Sequence, residues 1–528
     1  MLHVPDLSSL ISISIRLIKS PAVSQLKETL KGRHGTLRRH VPVEQYSSNK
    51  NPQPRYSDYA FGTYSPDITE KVKQESDRLA RTRRVHVKNA MKHAFEGYRT
   101  EAWGFDELLP LSGGSKDNWG GMAVTMIDSL STLWLMGLKD EFYEARDYVQ
   151  HELSFDDVGV VSVFETTIRT LGGLLSAFDL SGDRAFLDRA DDLGSRLLKS
   201  FDSPSGIPYG EVIVNGEDAY NTPWHSSVAI LSEAGTMQLE FRYLSHATGK
   251  KEYATKALKV IDELAKMQLP NGLFYLYIQN EKKPPQWGNK KISFGAMGDS
   301  MYEYLLKVWI QGKQSEKKLR RLYDSAMQGL HDELLKQNTA SKLFYIGEQS
   351  NGQFEDKMDH LSCFTGGMLA LGAATHPEGI NSEIAQRDLK TAKSLAFTCY
   401  QMYKTSTTGL APEAVWFGEK GLEQRRHAMY AILRPETVES FFILHQISGD
   451  PVYREWGWEI FLALEQFCKT DYAYGSLKDV NRETLDDKME SFFLAETLKY
   501  LFLLQDPDNE VDMLTKHVFS TEAHIFKV

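Results

Sequence analysis

The chain has 528 residues, of which 41% are hydrophobic and 25% are charged, as is typical of a soluble globular protein with a large core. Its formal net charge of -10 and isoelectric point near 5.9 argue against a nucleic-acid partner. The three cysteines have no CxxC or Cys/His spacing, which argues against structural zinc. Composition alone leaves open whether they form one disulfide and one free thiol.

The N-terminal part of the chain differs from the rest. Its first twenty residues hold a weak apolar stretch interrupted by Arg16, which makes a poor signal peptide and no evident membrane anchor. No run in the chain approaches the roughly 20 apolar residues of a membrane span. The residues that follow, including HVPVEQYSSNKNPQPRYSDY, are polar and rich in turn formers. We therefore predict a poorly ordered segment or stem over residues 1–70 and a folded domain over residues 71–528.

Helical periodicity dominates from about Thr69 onward. It predicts long helices at about 124–137, 161–178, 225–246, 299–310, 384–403, 436–447 and 484–504. The corners LSGDRAFLDRA, ATGKKEYATKA and ISGDPVYREWG share a plan in which a glycine ends one helix and an aromatic residue starts the next. With roughly 60 residues per hairpin, the chain from residue 90 holds about seven αα-hairpins.

These hairpins predict an all-α fold, because each must bury its inner face against its neighbours. A closed (αα)7 barrel is favoured over an open solenoid, since the inner helices combine apolar residues with scattered carboxylates, as expected around a central cavity. Short strand-like pieces at 210–217, 273–280 and 342–349 predict β-hairpin loops over one mouth of the barrel.

The stretch LRPETVESFF places Glu436 and Glu439 on one helical face beside apolar residues. First-turn glutamates can simply complement the helix dipole. However, SVFETTIRTLGG repeats the pattern with Glu165, for which Arg169 four residues later is a possible ion-pair partner. A buried carboxyl without a partner has a raised pKa, which suits acid catalysis.

Three further helices bring polar groups to apolar faces. Asp299 lies in GDSMYEYLLKVW, where it could also merely flank an S-x-x-E capping box. Asp359 and His360 lie in KMDHLSCF, and DDKMESFFLAET carries Glu490 and Glu496. Recurrence on five helices indicates a carboxylate-lined cavity. Such a cavity suits glycoside hydrolysis, which uses two carboxyl groups, and a hard cation such as Ca2+ or Mg2+.

Several long motifs identify a family. They are AWGFDELLP, GGMAVTMIDSLSTLWLMGL, SVFETTIRTLGGLLSAFDLSGD, GDSMYEYLLKVWI, MDHLSCFTGGMLALGA, LRPETVESFFILHQISGD, DKMESFFLAETLKYLFLL and FSTEAH, in order from about residue 85 to 526. The chain resembles the class I α-1,2-mannosidases of glycoside hydrolase family 47, which trim high-mannose N-glycans. The resemblance implies an (αα)7 barrel over residues 71–528, an inverting mechanism and a bound Ca2+.

The resemblance also implies roles for individual residues. Thr521 would ligate Ca2+, Glu436 would be the general base, and Glu165 would be the acid, acting through a water, with Asp299 as the competing candidate. The positions that match substrate-binding or neighbouring residues of the family are Arg169, Glu233, Asp359, His360, Arg434, Glu439, Phe492, Glu496 and Glu522, with Phe492 stacking on the terminal mannose. Cys363 and Cys399 match the family's disulfide, which leaves Cys468 free.

Three positions depart from the family pattern. Met297 lies where the endoplasmic-reticulum type carries arginine, which favours the Golgi-type and fungal-type trimming subgroup. Ser131 replaces an aspartate, and Ile525 replaces a proline. From the resemblance we expect a monomer that acts in the lumen of the secretory pathway or after secretion, and that trims Man9 glycans toward Man5 to Man8. We interpret the weak leader as an incomplete or unrecognised N-terminal signal.

Two other interpretations compete. A mannosidase-like quality-control factor would bind glycans with little or no hydrolysis, but such relatives typically lack the cysteine pair. A helical terpenoid synthase would use Mg2+ at an aspartate-rich motif that DDKME superficially resembles. No second metal motif accompanies DDKME, which is better explained as the start of a helix.

Overall fold

The computed structural model of the protein describes residues 55–222 and 227–528. Within these ranges, no helix is both long enough and apolar enough to cross a membrane. Most of the predicted N-terminal segment, residues 1–54, lies outside the described residues. From residue 55 the chain packs on the barrel, where the buried Tyr59 stacks on Phe397 with ring centroids 5.4 Å apart. The domain boundary at residue 70 stays a prediction.

The described residues form two concentric rings of helices, numbered here in chain order. The inner helices are α3 (Val124–Leu135), α6 (Gly172–Ser181), α9 (Gln238–Thr248), α11 (Asp299–Gln311), α13 (Phe364–Ala374), α15 (Glu436–Ser448) and α17 (Leu498–Leu504). The outer helices are α2 (Glu70–Glu101), α4 (Lys139–His151), α7 (Arg184–Leu197), α10 (Lys251–Met267), α12 (Lys317–Gly329), α14 (Glu383–Lys404) and α16 (Val452–Phe467). Shorter helices are α1 (Tyr56–Ala60), α5 (Val163–Glu165) and α8 (Leu231–Gly235).

Seven inner helices each pair with an outer helix, and α2 closes the ring by packing on α17. The predicted all-α (αα)7 barrel is therefore confirmed. The corner glycines do what their motifs predict: Gly182, Gly249 and Gly449 end α6, α9 and α15 in the left-handed conformation that only glycine adopts without strain. The inner helices are apolar on most sides, as in α13, which is buried from Phe364 to Ala373.

Short strands gather where the inner helices begin. They are β1 (Glu107–Leu109), β2 (Gly114–Lys116), β3 (Val160–Ser162), β4 (Glu211–Ile213), β5 (Ala219–Tyr220), β6 (Ala229–Ile230), β7 (Tyr277–Gln279), β8 (Gln286–Trp287), β9 (Lys291–Ile292), β10 (Leu335–Gln337), β11 (Phe344–Ile346), β12 (Glu348–Ser350), β13 (Gln353–Glu355), β14 (Lys357–Asp359), β15 (Ala414–Gly418), β16 (Gly421–Gln424), β17 (Leu477–Asp479) and β18 (Thr484–Leu485). They pair in antiparallel two- and three-stranded sheets. Strands β3, β6, β9 and β14 each precede an inner-ring helix or turn, which places these helix starts at one mouth of the barrel.

One hairpin occupies the interior of the barrel. Strands β19 (His517–Phe519) and β20 (Ile525–Lys527) pair antiparallel and pack against α11 and α6. The ring of Phe519 contacts Phe442 of α15 and Tyr500 of α17, and all three rings are buried. The turn of this hairpin, residues 520–524, therefore faces the cavity from below.

Three local predictions are wrong. The single helix predicted over 225–246 is interrupted, because Ala229–Ile230 form β6 and α8 ends at Gly235 before α9 begins at Gln238. The helix predicted from residue 484 begins with a π-helical segment at Phe493–Thr497, because residues 484–485 form β18 and Asp487 accepts the N–H groups of Leu111 and Ser112. The DDKME motif is thus neither a helix start nor a metal motif. Ser300 does not cap α11, since the helix begins at Asp299 and the Ser300 hydroxyl instead accepts from Thr236.

Candidate active site

The predicted site residues meet at the mouth because they lie at the starts of inner-ring segments. Glu165 ends α5, Glu233 lies in α8, Asp299 begins α11 and Glu436 begins α15. Two π-helical segments, Thr166–Leu171 and Phe493–Thr497, interrupt the inner ring beside the cavity. Such single-turn π segments often mark functional sites, where they change the direction of side chains.

Glu436 is held by two basic residues. Its Oε2 lies 2.9 Å from Nδ1 of His360, and its Oε1 lies 3.8 Å from Nη1 of Arg434. Burial raises the pKa of Glu436, but the hydrogen bond from His360 and the charge of Arg434 outweigh burial and bring the pKa below its ordinary value. Glu436 is therefore an ionised carboxylate at neutral pH, the state a general base requires.

His360 is itself fixed in orientation. Its Nε2 lies 2.8 Å from the hydroxyl of Tyr403 and 3.1 Å from that of Thr437. Cys363, one turn further on, forms a disulfide with Cys399 of the outer helix α14. The predicted disulfide is confirmed, and the third cysteine, Cys468, is a buried free thiol, as predicted.

Arg169 joins two of the predicted carboxylates. Its Nε donates to Oε2 of Glu165 at 2.8 Å, and its Nη1 donates to Oε1 of Glu522 at 2.7 Å and to the Ser491 hydroxyl at 2.9 Å. The ion pair between Glu165 and Arg169, which the sequence analysis gave as a possibility, is therefore present in the structure. Glu165 nevertheless remains 27% exposed, so its carboxylate still borders the cavity.

Aromatic rings flank the basic side chains. The guanidinium of Arg169 lies 5.1 Å from the ring centre of Trp119 and 5.5 Å from that of Phe492. The guanidinium of Arg434 lies 5.8 Å from the same Phe492 ring, and its Nε donates to Oε2 of Glu413 at 2.6 Å. Ion pairs hold the two guanidinium groups, and cation–π contacts place the Phe492 ring between them.

Two further carboxyl groups at the mouth have strongly raised pKa values. Burial, with the negative charges of Glu303 and Glu436, raises the pKa of Asp299 to about 7, although the Ser300 N–H donates to it at 2.8 Å. Burial and neighbouring carboxylates likewise raise the pKa of Glu233 to about 7. Asp299 and Glu436 thus have pKa values shifted in opposite directions within one cavity, which is the pattern of an acid and a base.

The floor of the cavity is rich in buried acids. Glu439 is buried, and its Oε1 lies 3.6 Å from Nζ of Lys307, which also pairs with Glu303 on the next turn of α11. Burial raises the pKa of Glu496 well above its ordinary value, and the charge of Glu522 adds to the effect. The pKa of Glu522 is raised in the same direction, mainly by burial. The floor therefore holds a cluster of buried carboxyl groups whose ionised forms a cation would stabilise.

Thr521 lies in the hairpin turn on this floor. Its N–H points to the hydroxyl of Tyr304 at 3.3 Å, and Lys499 donates to the carbonyl of Ala523 at 2.6 Å. Ala523 has a φ of 55°, a left-handed conformation that is strained for a residue other than glycine. Hydrogen bonds at Thr521 itself and two residues later thus restrict where the Thr521 oxygens lie.

The chemistry of the floor bears on whether it could hold Ca2+. In the described ranges, no group of three or more His, Cys, Asp or Glu side chains is arranged to hold a metal directly. The turn offers the hydroxyl and carbonyl oxygens of Thr521, and the neighbouring carboxyl groups of Glu496 and Glu522 are buried. A hydroxyl and a carbonyl oxygen within a ring of carboxylates suit a hard cation that keeps several waters, so the residues fit Ca2+.

Asp359 lies at the edge of the site. Its Oδ1 lies 2.7 Å from Nζ of Lys357, which also contacts Glu348 at 3.2 Å. Burial raises the pKa of Asp359, and the charge of Lys357 opposes the rise. Asp359 thus lies at the mouth next to His360, where its carboxylate forms an ion pair with Lys357.

Sequence reasoning missed several residues that support the site. Asp128 is fully buried, accepts from Ser491 at 2.5 Å and lies 3.0 Å from Nε2 of His524. An aspartate inside the apolar run MIDSLSTLWL is the signal that could have found it, because a buried charge requires a partner. The other supporting residues that were missed are Trp119, Tyr304, Lys307, Glu413 and Lys499.

Two of the departures from the family pattern are accommodated. The hydroxyl of Ser131 lies 3.4 Å from Nδ1 of His524. The N–H of Ile525 donates to the Ser176 hydroxyl at 3.1 Å, a hydrogen bond that a proline could not make. Neither substitution leaves the hairpin turn unsupported.

Comparisons with known proteins agree with this geometry. The family model of glycosyl hydrolase family 47 matches residues 90–528. Mannosyl-oligosaccharide 1,2-alpha-mannosidase MNS1 of Arabidopsis thaliana is 45% identical over 455 residues, covering 86% of this chain and 80% of that protein. Mannosyl-oligosaccharide 1,2-alpha-mannosidase IB of Homo sapiens is 40% identical over 457 residues, covering 85% of this chain and 70% of that protein. The structure of an alpha-1,2-mannosidase from Trichoderma reesei superposes with a TM-score of 0.79 at 28% identity, covering 85% of this chain and 99% of that chain.

The fold and the carboxylate-lined cavity define a glycosidase built on an α/α barrel. The chain belongs to glycosyl hydrolase family 47. The family membership confirms the sequence-based recognition of a class I α-1,2-mannosidase, and with it the predicted enzyme class.

Proposed function

We propose that the protein is an inverting exo-α-1,2-mannosidase that removes terminal α-1,2-linked mannose from high-mannose N-glycans with the help of Ca2+. The observation that carries the proposal is the set of carboxyl groups at the mouth of a family 47 barrel: His360 lies 2.9 Å from Glu436 and keeps it ionised, while burial raises the pKa of Asp299 to about 7. An inverting glycosidase needs one carboxylate to activate water and one carboxylic acid to protonate the leaving oxygen.

In this mechanism Glu436 accepts a proton from the attacking water. His360 and Arg434 keep it ionised beforehand and hold its two oxygens in place. The raised pKa of Asp299 supports this side chain as the proton donor. Glu165 is held in an ion pair with Arg169 and remains the competing donor, acting through a water.

The terminal sugar would lie in the cavity above Thr521. Phe492, fixed between Arg169 and Arg434, offers an apolar surface for the face of a mannose ring. The carboxylates Glu439, Glu496 and Glu522, with Glu233, Asp359 and Arg434, would accept or donate hydrogen bonds to its hydroxyls. A cavity closed below by the C-terminal hairpin would admit only the end of a glycan chain, in keeping with exo action.

Ca2+ would be held by the hydroxyl and carbonyl oxygens of Thr521 and by waters that the surrounding carboxylates orient. When bound, the ion would supply a Lewis acid that chelates sugar hydroxyls and favours a distorted ring. The buried acids Glu496 and Glu522, whose pKa values are raised, support the proposal because a cation would offset their repulsion. Removing Ca2+ should lower the melting temperature, since a ligand at 100 times its Kd adds about 2.7 kcal/mol to stability.

Met297 bears on which branch is trimmed. It precedes Asp299 by two residues and has a φ of 72°, so its side chain is held in a strained turn beside the mouth. An apolar residue there supports the broader, Golgi-type and fungal-type trimming of Man9 toward Man5 to Man8. We further propose a monomer that works in the lumen of the secretory pathway or after secretion.

The test is a time course of Man9 glycan digestion with the purified protein and Ca2+. We expect stepwise loss of mannose, inhibition by EDTA, and no turnover by Glu436→Gln, which keeps the shape of the side chain but cannot act as a base. Glycan binding without release by the wild-type protein would instead identify a mannosidase-like binding factor. Substantial activity of Glu436→Gln would remove Glu436 from the role of base.

A further inference from the structure

A buried chain of hydrogen bonds leads from the Thr521 turn to a carboxyl group outside the cavity. The N–H of Thr521 points to the hydroxyl oxygen of Tyr304 at 3.3 Å. That hydroxyl donates to Oε1 of Glu240 at 2.6 Å. Tyr304 lies on α11 and Glu240 on the neighbouring inner helix α9, and both side chains are fully buried.

The position of Glu240 is costly. Its second oxygen, Oε2, is buried without a hydrogen-bond partner in the part of the chain that the structure describes. A buried carboxyl with one oxygen left unpaired costs more free energy than its hydrogen bonds return, so an apolar side chain at this position should give a more stable barrel. Within the described ranges, the side-chain hydrogen bond that Glu240 accepts is the bond from Tyr304.

That bond fixes the direction of the Tyr304 hydroxyl. Because its proton is committed to Glu240, a lone pair of the phenol oxygen faces the N–H of Thr521. Without Glu240 the hydroxyl could rotate and present its proton to the same N–H. Hydrogen bonds in such a chain also polarise one another, which strengthens the contact to Thr521.

We propose that Tyr304 and Glu240 are positioning residues for the metal-ligating turn: Tyr304 holds the backbone of Thr521, and Glu240 fixes the Tyr304 hydroxyl in the accepting orientation. The inference rests on the proposed function, since it takes Thr521 as the Ca2+ ligand. Both oxygens offered by Thr521 belong to the residue whose N–H is held, so a loosened turn would misplace them together.

The test uses four variants of the full chain, stripped of metal and titrated with CaCl2 by isothermal calorimetry. Tyr304→Phe and Glu240→Leu should weaken Ca2+ binding about fivefold to tenfold, as expected for the loss of one buried hydrogen bond. Glu240→Gln keeps an acceptor for the Tyr304 hydroxyl and should stay within about twofold of the wild type. If Tyr304→Phe does not fold, the contrast between Glu240→Leu and Glu240→Gln decides the question.

Tyr302→Phe is the matched control. Tyr302 lies on the same helix, is fully buried, and accepts the N–H of Phe274 at 3.2 Å, so its loss removes the same kind of bond away from the turn. Both tyrosine variants should lose stability, but only Tyr304→Phe should lose Ca2+ affinity. Equal Ca2+ affinities for Tyr304→Phe and Tyr302→Phe would overturn the inference.

A second measurement separates this inference from the proposed function. Amide hydrogen exchange of the metal-free proteins reports directly on residues 520–524. Faster exchange there in Tyr304→Phe, but not in Tyr302→Phe, would support the positioning role even if the wild type bound no Ca2+, an outcome that would refute only the calcium proposal. Unchanged exchange of the turn in Tyr304→Phe would overturn the positioning role.

Discussion

The imidazole Nδ1 of His360 lies 2.9 Å from Oε2 of Glu436, and the two residues come from different hairpins of the barrel. An ionised carboxylate can only accept, so Nδ1 carries the proton of this bond. The proposed base is thus stabilised in its charged form by a side chain that is itself fixed by Tyr403 and Thr437.

His360→Leu should move the acidic limb of the kcat/KM profile. The pKa of Glu436 is depressed in the folded enzyme, so activity is present above that pKa and is lost as the pH falls through it. Removing the hydrogen bond leaves mainly the charge of Arg434 to oppose the effect of burial on the pKa, and the acidic limb should shift upward by about one unit or more. The pH profile of Man9 hydrolysis measures the shift. Tyr403→Phe, which leaves the contact with Glu436 in place, is the control, and an unmoved limb in His360→Leu would contradict the prediction.

Asp299→Asn should identify the acid. With a pKa of about 7, Asp299 is protonated below that pH, so a reaction that depends on its proton is lost as the pH rises through about 7. Asn cannot donate that proton, and kcat should fall by about 10²- to 10⁴-fold with loss of the alkaline limb. Glu165→Gln should retain the limb. The opposite result, a limb that disappears only in Glu165→Gln, would assign the acid to Glu165.

Arg169→Leu should destabilise the protein strongly. The substitution leaves the carboxylates of Glu165 and Glu522 without the guanidinium that joins them, and breaking a buried pair in this way costs about 3–5 kcal/mol. Urea unfolding measures the change. The exposed ion pair of Arg184 with Asp188 provides the comparison, since Arg184→Ala should cost less than about 0.5 kcal/mol. Similar losses in the two variants would show that Arg169 does not hold the site together.

The double variant Cys363→Ala/Cys399→Ala should unfold more easily. The disulfide closes a loop with a sequence separation of 36, for which the loss of cross-linking is about 2–4 kcal/mol. Denaturant unfolding of the wild type with and without a reductant should show the same difference, whereas the double variant should not respond to the reductant. A double variant as stable as the oxidised wild type would contradict the prediction.

The regular parts of the barrel follow from local sequence. The corner glycines Gly182, Gly249 and Gly449 each end a helix in the left-handed conformation, and the spacing between such corners gave the hairpin count. Glu436 could be placed beside the cavity because an acid recurs next to apolar residues at the starts of several inner helices. Hydrophobic periodicity and helix capping depend on residues that are close in the chain, so both can be predicted from a single sequence.

The features of the fold and of the site that the sequence did not predict depend on contacts between residues that are distant in the chain. The π-helical segments beside the cavity have no local signature that separates them from α-helix. Leu433, Met297 and Ala523 adopt left-handed backbone conformations that their side chains disfavour, so only the surrounding structure can hold them there. Lys499 looks like an ordinary helical lysine in LAETLKYLF, yet it is buried and donates to the turn that carries Thr521. Its role is visible only once the hairpin occupies the barrel.

The hairpin of β19 and β20 has a consequence for how the enzyme is made. It lies inside a ring that is closed by α2, near the start of the described chain, and α17, near its end. During vectorial synthesis the ring stays open until α17 emerges from the ribosome, and Thr521 emerges later still. The inner ring therefore lacks the hairpin and its remaining neighbour until late in synthesis, and the turn that carries Thr521 is the last part of the cavity to be made.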